Sequence, residues 1–105
     1  MFSFFKKAEL NCLEDVVRME YQFKGTVQHV GFRFEVEMAA MNNDLTGWVK
    51  NEVDGSVIAQ FQGLEENIKK TIYALYQIDR IQITSLTKRQ IEVNKKEKTF
   101  KTLYY

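Results

Sequence analysis

No proline occurs among the 105 residues, and cysteine and histidine occur once each, as Cys12 and His29. A lone cysteine excludes an intrachain disulfide, a thiolate zinc site and a CxxC redox pair. A lone histidine excludes histidine-rich metal chemistry. With no proline and five glycines there is no proline-rich linker and no low-complexity tail. An excess of either charge is lacking too. Fifteen Lys and Arg stand against fourteen Asp and Glu, a formal +1 that provides no global field to attract nucleic acid or a membrane surface. No apolar run nears the ~20 residues that a bilayer crossing requires. The opening MFSFF, followed by Lys6 and Lys7, carries its charges on the wrong side of a short apolar patch for a secretory signal, and a cytoplasmic protein is expected.

What is present suits one domain with a two-layer core: 45% hydrophobic residues, 13% of all residues aromatic, exclude wholesale disorder. Residues 1–13 read as an N-terminal extension and 14–105 as the domain. From Val16 to Lys24 the odd positions Val17, Met19, Tyr21 and Phe23 are apolar and the even ones polar, the period of a half-buried strand. Gly25 to Gly31 forms a loop that feeds a helix beginning at Phe32, in which Phe34, Met38, Met41 and Leu45 recur at helical intervals. Asn42, Asn43 and Asp44 supply its stop, because short polar side chains compete for backbone hydrogen bonds and tolerate left-handed torsions. Thr46 to Asn51 and Ser56 to Gln62 read as a hairpin reversed at Asp54-Gly55. Leu64, Ile68, Ile72, Leu75 and Tyr76 mark a second helix, Arg80 to Leu86 a fourth strand and Thr99 to Tyr105 a short last one. The order β, α, β, β, α, β predicts an α+β fold, a ferredoxin-like split βαβ sandwich with an antiparallel four- to five-stranded sheet and both helices on one face.

That pattern hosts many functions, so chemistry must come from a site. P-loop, GxGxxG, serine-elbow and HExxH motifs are all missing. What remains is GTVQHVGFR, residues 25–33, between a strand's end and a helix's start. The first amides of a helix have no intrahelical acceptor and lie at the positive end of its dipole, so a loop curling there can cradle an oxyanion. Gly25 and Gly31 permit close backbone approach, and the Arg33 guanidinium can fork a phosphate or a carboxylate. On composition alone, an ordinary strand-to-helix connection with one surface arginine is the favoured reading.

The segment VQHVGFR resembles the signature VQGVGFR of the acylphosphatase family, and GWVKN at 47–51, DGSV at 54–57 and QG at 62–63 are similar to the family's following elements, in order and spacing. The resemblance runs from about Val17 to the last tyrosines. It implies a metal-independent enzyme, needing no other cofactor, that hydrolyses the mixed anhydride of a carboxylic acid and phosphate. It further implies that Thr26, Val27, Gln28, His29, Val30, Gly31, Phe32 and Arg33 hold the phosphoryl group, that Arg33 is the phosphate-binding arginine, and that Asn51 orients the attacking water. Expected ligands are small-molecule acyl phosphates, inorganic phosphate or sulfate, bound by a monomer with no nucleic-acid or membrane partner.

One departure falls inside the cradle: His29 stands where the signature has glycine. If that position requires φ above zero, histidine costs about 1 kcal/mol; otherwise the imidazole points to solvent or adds a phosphate donor. A phosphate-binding relative without turnover is therefore one alternative. An RNA-binding ferredoxin-like module is another, since GFRFEV loosely resembles an aromatic RNA-recognition segment, although it sits at a helix start. Trp48 is read as packing on the sheet with indirect support of Asn51. Cys12 is read as inert, and the basic residues from Lys88 to Lys101 as a solvated edge.

Overall fold

The computed structural model describes residues 15–104. The extension 1–13 with Cys12, and the end of the last expected strand at Tyr105, lie outside the described residues. Seven elements follow in order: β1 (Val16–Thr26), α1 (Phe32–Asn42), β2 (Thr46–Asn51), β3 (Val57–Leu64), α2 (Glu65–Tyr76), β4 (Gln82–Ile91) and β5 (Phe100–Leu103). They build one five-stranded sheet in the order β4-β1-β3-β2-β5. Tyr21 and Phe23 of β1, Val49 of β2, and Ala59 and Phe61 of β3 share a single buried cluster with Phe32, Val36 and Ala40 of α1 and Ile68 and Leu75 of α2. Both helices thus cover one sheet face, the expected sandwich.

The sheet is mixed rather than wholly antiparallel. β1, β3, β2 and β4 pair antiparallel, but β5 pairs parallel to β2, from Gly47 opposite Phe100 to Lys50 opposite Leu103. Residues 92–99 carry the chain from β4 at one edge to β5 at the other. Their crossing is pinned to the helix-free face by Arg18, which is 4% exposed. Its guanidinium donates to both Glu97 carboxylate oxygens at 2.8 and 3.1 Å and to Gln60 and Gln62 at 3.0 Å each. Gln62 also exchanges hydrogen bonds with the Asn94 main chain at 2.7 and 2.9 Å. Because the crossing lies where β1 and β2 begin, β5 must run the same way as they do. Three parallel-running strands therefore deliver Thr26, Asn51 and Leu103 to one edge of the sheet.

α1 differs from the sequence expectation in phase. Its buried residues are Phe32, Val36 and Ala40, whereas Phe34, Met38 and Met41 are exposed. Both triplets have helical spacing, and the ring of Phe32 decides between them. It lies edge-on to Phe23, with centroids 5.1 Å apart, and burying such a side chain contributes about 2 to 3 kcal/mol. Asn43 ends the helix as expected: its side-chain amide donates to the Ala39 carbonyl at 3.0 Å, and Asp44 follows at φ 58°. β4 runs to Ile91, five residues past the expected strand.

Candidate active site

Gly25 opens the site. β1 bulges against β4 between Lys24 and Gly25, and a Cβ at Gly25 would lie 2.1 Å from the Gln82 carbonyl oxygen, so only glycine lets the two backbones come this close. Thr26, expected in the cradle, instead closes β1, exposed and paired with Gln82. The chain then turns through two left-handed residues, His29 at φ 64° and Gly31 at φ 79°, the latter being the N-cap of α1. The first helical bond runs from the Glu35 amide to the Gly31 carbonyl at 3.1 Å, and no side chain caps the turn. The amides of Phe32, Arg33 and Phe34 consequently have no intrahelical acceptor. Since Phe32 is drawn into the core, Arg33 projects outward at the mouth of the loop.

The concavity there encloses about 280 Å³ and is lined by Val27, His29, Gly31, Phe32, Arg33 and Asn51 together with Phe34, Glu37, Thr102 and Tyr104. Of the residues expected to hold phosphate, Val27, His29, Gly31, Phe32 and Arg33 line this hollow; Thr26, Gln28 and Val30 do not. The structure thus brings Arg33 and Asn51 to one place. Asn51 ends β2 with its side chain on the core face, 8% exposed. Its Oδ1 is one of two buried side-chain polar atoms that lack a hydrogen-bond partner among the described residues. A buried carbonyl oxygen without a donor is costly, so this one is suited to accept from a solvent or ligand molecule inside the hollow. Trp48 and Lys50 alternate with Val49 and Asn51 along β2. Trp48 therefore faces the opposite side of the sheet and gives Asn51 no support through the site.

Three supporting residues, Arg80, Leu103 and Tyr104, escaped the sequence reading, and Gln28, expected in the cradle, braces it from outside. Gln28 lines no part of the hollow, but its amide donates to the main-chain carbonyls of Glu52 at 2.8 Å and Ser56 at 2.9 Å. It ties the loop to the reversal that follows Asn51. Arg80 donates from Nε to the Val30 carbonyl at 2.8 Å and pairs with Glu35. A trans peptide sets C=O and N–H on opposite sides, so this bond turns the Gly31 amide away from Arg80. From β5, the Leu103 carbonyl accepts from Arg33 Nη1 at 3.3 Å and the Tyr104 ring lies 4.7 Å from the guanidinium carbon. Both hold the arginine in one orientation. No local motif marks these partners, because each sits 24 to 71 residues from its counterpart in sequence.

A family model for acylphosphatase matches residues 19–102. The chain is 49% identical over 51 residues to an acylphosphatase of Bacillus licheniformis, an alignment covering 49% of this chain and 57% of that relative; there the chain spans little more than half the relative's length. It is 36% identical over 90 residues to an acylphosphatase of Geobacillus thermodenitrificans, covering 83% of this chain and 94% of the relative. In three dimensions it is similar to the crystal structure of acylphosphatase from Bacillus subtilis, with a TM-score of 0.78 at 28% identity over 84% of this chain and 99% of that one. From the signature loop to the last strand, sequence and architecture lead to the same place: this chain belongs to the acylphosphatase family.

Proposed function

We propose that the protein hydrolyses the carboxyl-phosphate anhydride of small acyl phosphates, with the phosphoryl group held by the loop amides and Arg33 and the attacking water oriented by Asn51. The observation that carries this reading is the meeting of the Arg33 guanidinium and the partnerless Asn51 Oδ1 in one hollow at the N-terminus of α1. An acyl phosphate has a good leaving group, so positioning and charge stabilisation carry most of the catalysis. The helix-start amides and the guanidinium are fixed before substrate arrives, which is what stabilisation of the spreading equatorial charge requires. The water oxygen bonds to phosphorus as the bond from phosphorus to the acyl oxygen breaks. The carboxylate leaves with that electron pair, and a phosphate oxygen takes the water's proton. Asn51 accepts one hydrogen bond from the water and fixes its line of approach.

Phosphate release from acetyl or benzoyl phosphate by the pure protein tests the reading. Arg33→Ala is expected to lower kcat/KM by about 10² to 10³, the range for removing one preorganised donor. Asn51→Ala is expected to lower kcat by about 10² with little change in KM, the pattern of a contact made in the transition state. Release that survives both substitutions would overturn it. Action in the cytoplasm as a monomer without nucleic acid belongs to the same reading. It is motivated by the single cysteine and the near-balanced charge, and cell fractionation with sedimentation of the pure protein checks it. Among the described residues no helix is long and apolar enough to cross a membrane.

A further inference from the structure

The hollow that receives a phosphoryl dianion also contains a carboxylate. Glu37 lies one helical turn beyond Arg33 on α1, about 6 Å along the axis, and lines the same concavity. A carboxylate there repels a bound phosphate, so phosphate binding does not account for it. Its Oε1 accepts from Thr102 Oγ1 at 2.6 Å, which fixes the side chain against β5 through one oxygen. With the phosphate end of the substrate at Gly31, Phe32 and Arg33, the acyl end must extend toward the remaining lining. Besides the buried Val27 and Asn51 and the exposed His29, that lining is Phe34, 63% exposed on the same helix, Glu37 itself, Thr102 and Tyr104. A fixed carboxylate beside aromatic rings is a site for a cation.

We propose that Glu37 determines specificity for the acyl half, selecting acyl phosphates that carry an ammonium group a few bonds from the reacting carbonyl over neutral and dicarboxylic ones. This deepens the acylphosphatase reading and rests on it. The probes are β-alanyl, propionyl and monosuccinyl phosphate, which are close in size but differ in acyl charge. In the native protein kcat/KM for β-alanyl phosphate should exceed that for propionyl phosphate by about tenfold, as expected for one favourable charge pair in a partly exposed site. Monosuccinyl phosphate should be the poorest of the three.

Glu37→Gln should reduce the ammonium preference to less than about twofold and raise the monosuccinyl rate. Thr102→Val, which keeps the charge but removes its anchor, should retain part of the preference. A native preference that falls as ionic strength rises gives the same reading with no variant at all. Turnover of all three substrates at similar rates, or a preference that Glu37→Gln leaves intact, overturns the assignment while the acylphosphatase reading stands. Glu37 acting only as an anchor for β5 would make Glu37→Gln and Thr102→Val lower all three rates alike, and this also overturns it. Failure of every probe to release phosphate removes the acylphosphatase reading and the assignment with it.

Discussion

His29 shows how one side chain can work against its own backbone. At φ 64° it occupies the left-handed region, where a Cβ crowds the following carbonyl at a cost of about 1 kcal/mol. The signature motif it resembles has glycine there, and the structure supplies the reason: the position needs a left-handed torsion so that the loop can curl over the start of α1. The imidazole is exposed at the mouth of the hollow, so core packing returns nothing for the strain. His29→Gly is therefore expected to raise the unfolding free energy by about 0.5 to 1 kcal/mol, somewhat less than the torsional relief because glycine gains freedom in the unfolded chain. Urea unfolding at unchanged m-value measures it, and a less stable variant would mean that the imidazole contributes more than its torsion costs.

The β2–β3 reversal is the element on which Asn51 depends, and its chemistry makes it sensitive to acid. Asp54 accepts from the Ser56 amide at 2.9 Å and the Ser56 hydroxyl at 2.6 Å. Those bonds, the hydroxyl's first, hold its carboxyl below the ordinary carboxylate range. Ser56 in turn accepts at its hydroxyl from Gln22 and at its carbonyl from Gln28, so the reversal, β1 and the phosphate loop are fastened at one point. Glu20, on the helix-free face, is lowered as well, first by the Gln60 amide and then by Arg89, against an opposing push from burial. Groups lowered in the folded state contribute stability above their unfolded values, and that contribution disappears as pH falls through the folded ones. Stability should therefore decline from about pH 5 downward, and Asp54→Asn should flatten part of that decline in denaturant unfolding followed against pH. An identical slope in the variant would show that Asp54 does not govern it.

Across the protein, the Arg18–Glu97 pair links the two ends of the fold. Its side chains are 5% and 14% exposed, and through the 92–99 crossing it sets where β5 joins the sheet and hence where Leu103 and Tyr104 meet Arg33. Removing one member of a buried pair leaves the other charge without compensation. Glu97→Ala is expected to cost about 3 kcal/mol, whereas Arg18→Met combined with Glu97→Leu should recover most of it, because well-packed apolar groups replace such pairs with little loss. Thermal and urea unfolding of the three proteins decide this. If the double variant is no more stable than Glu97→Ala, the pair contributes net stability rather than orientation alone.

Local patterns were sufficient where the physics is local. Alternation from Val17 to Phe23 placed a strand with one buried face, Asp54-Gly55 placed a reversal, Asn43 and Asp44 placed a helix end, and the run from Gly25 to Arg33 placed the turn from β1 into α1. They failed where two solutions have the same period: Phe34, Met38 and Met41 repeat along α1 as regularly as Phe32, Val36 and Ala40, and only the contact with Phe23 chose the buried set. They failed again wherever partners meet across long stretches of chain, as with Arg80 and Val30, Thr102 and Glu37, or Glu97 and Arg18. Strand direction at β5 belongs to this second group, since four residues carry no sign of which way they will pair. Spacing along a chain records which side chains can share a face, whereas which faces meet is settled by packing and long-range hydrogen bonds, and the composition of the hollow around Arg33 was settled there.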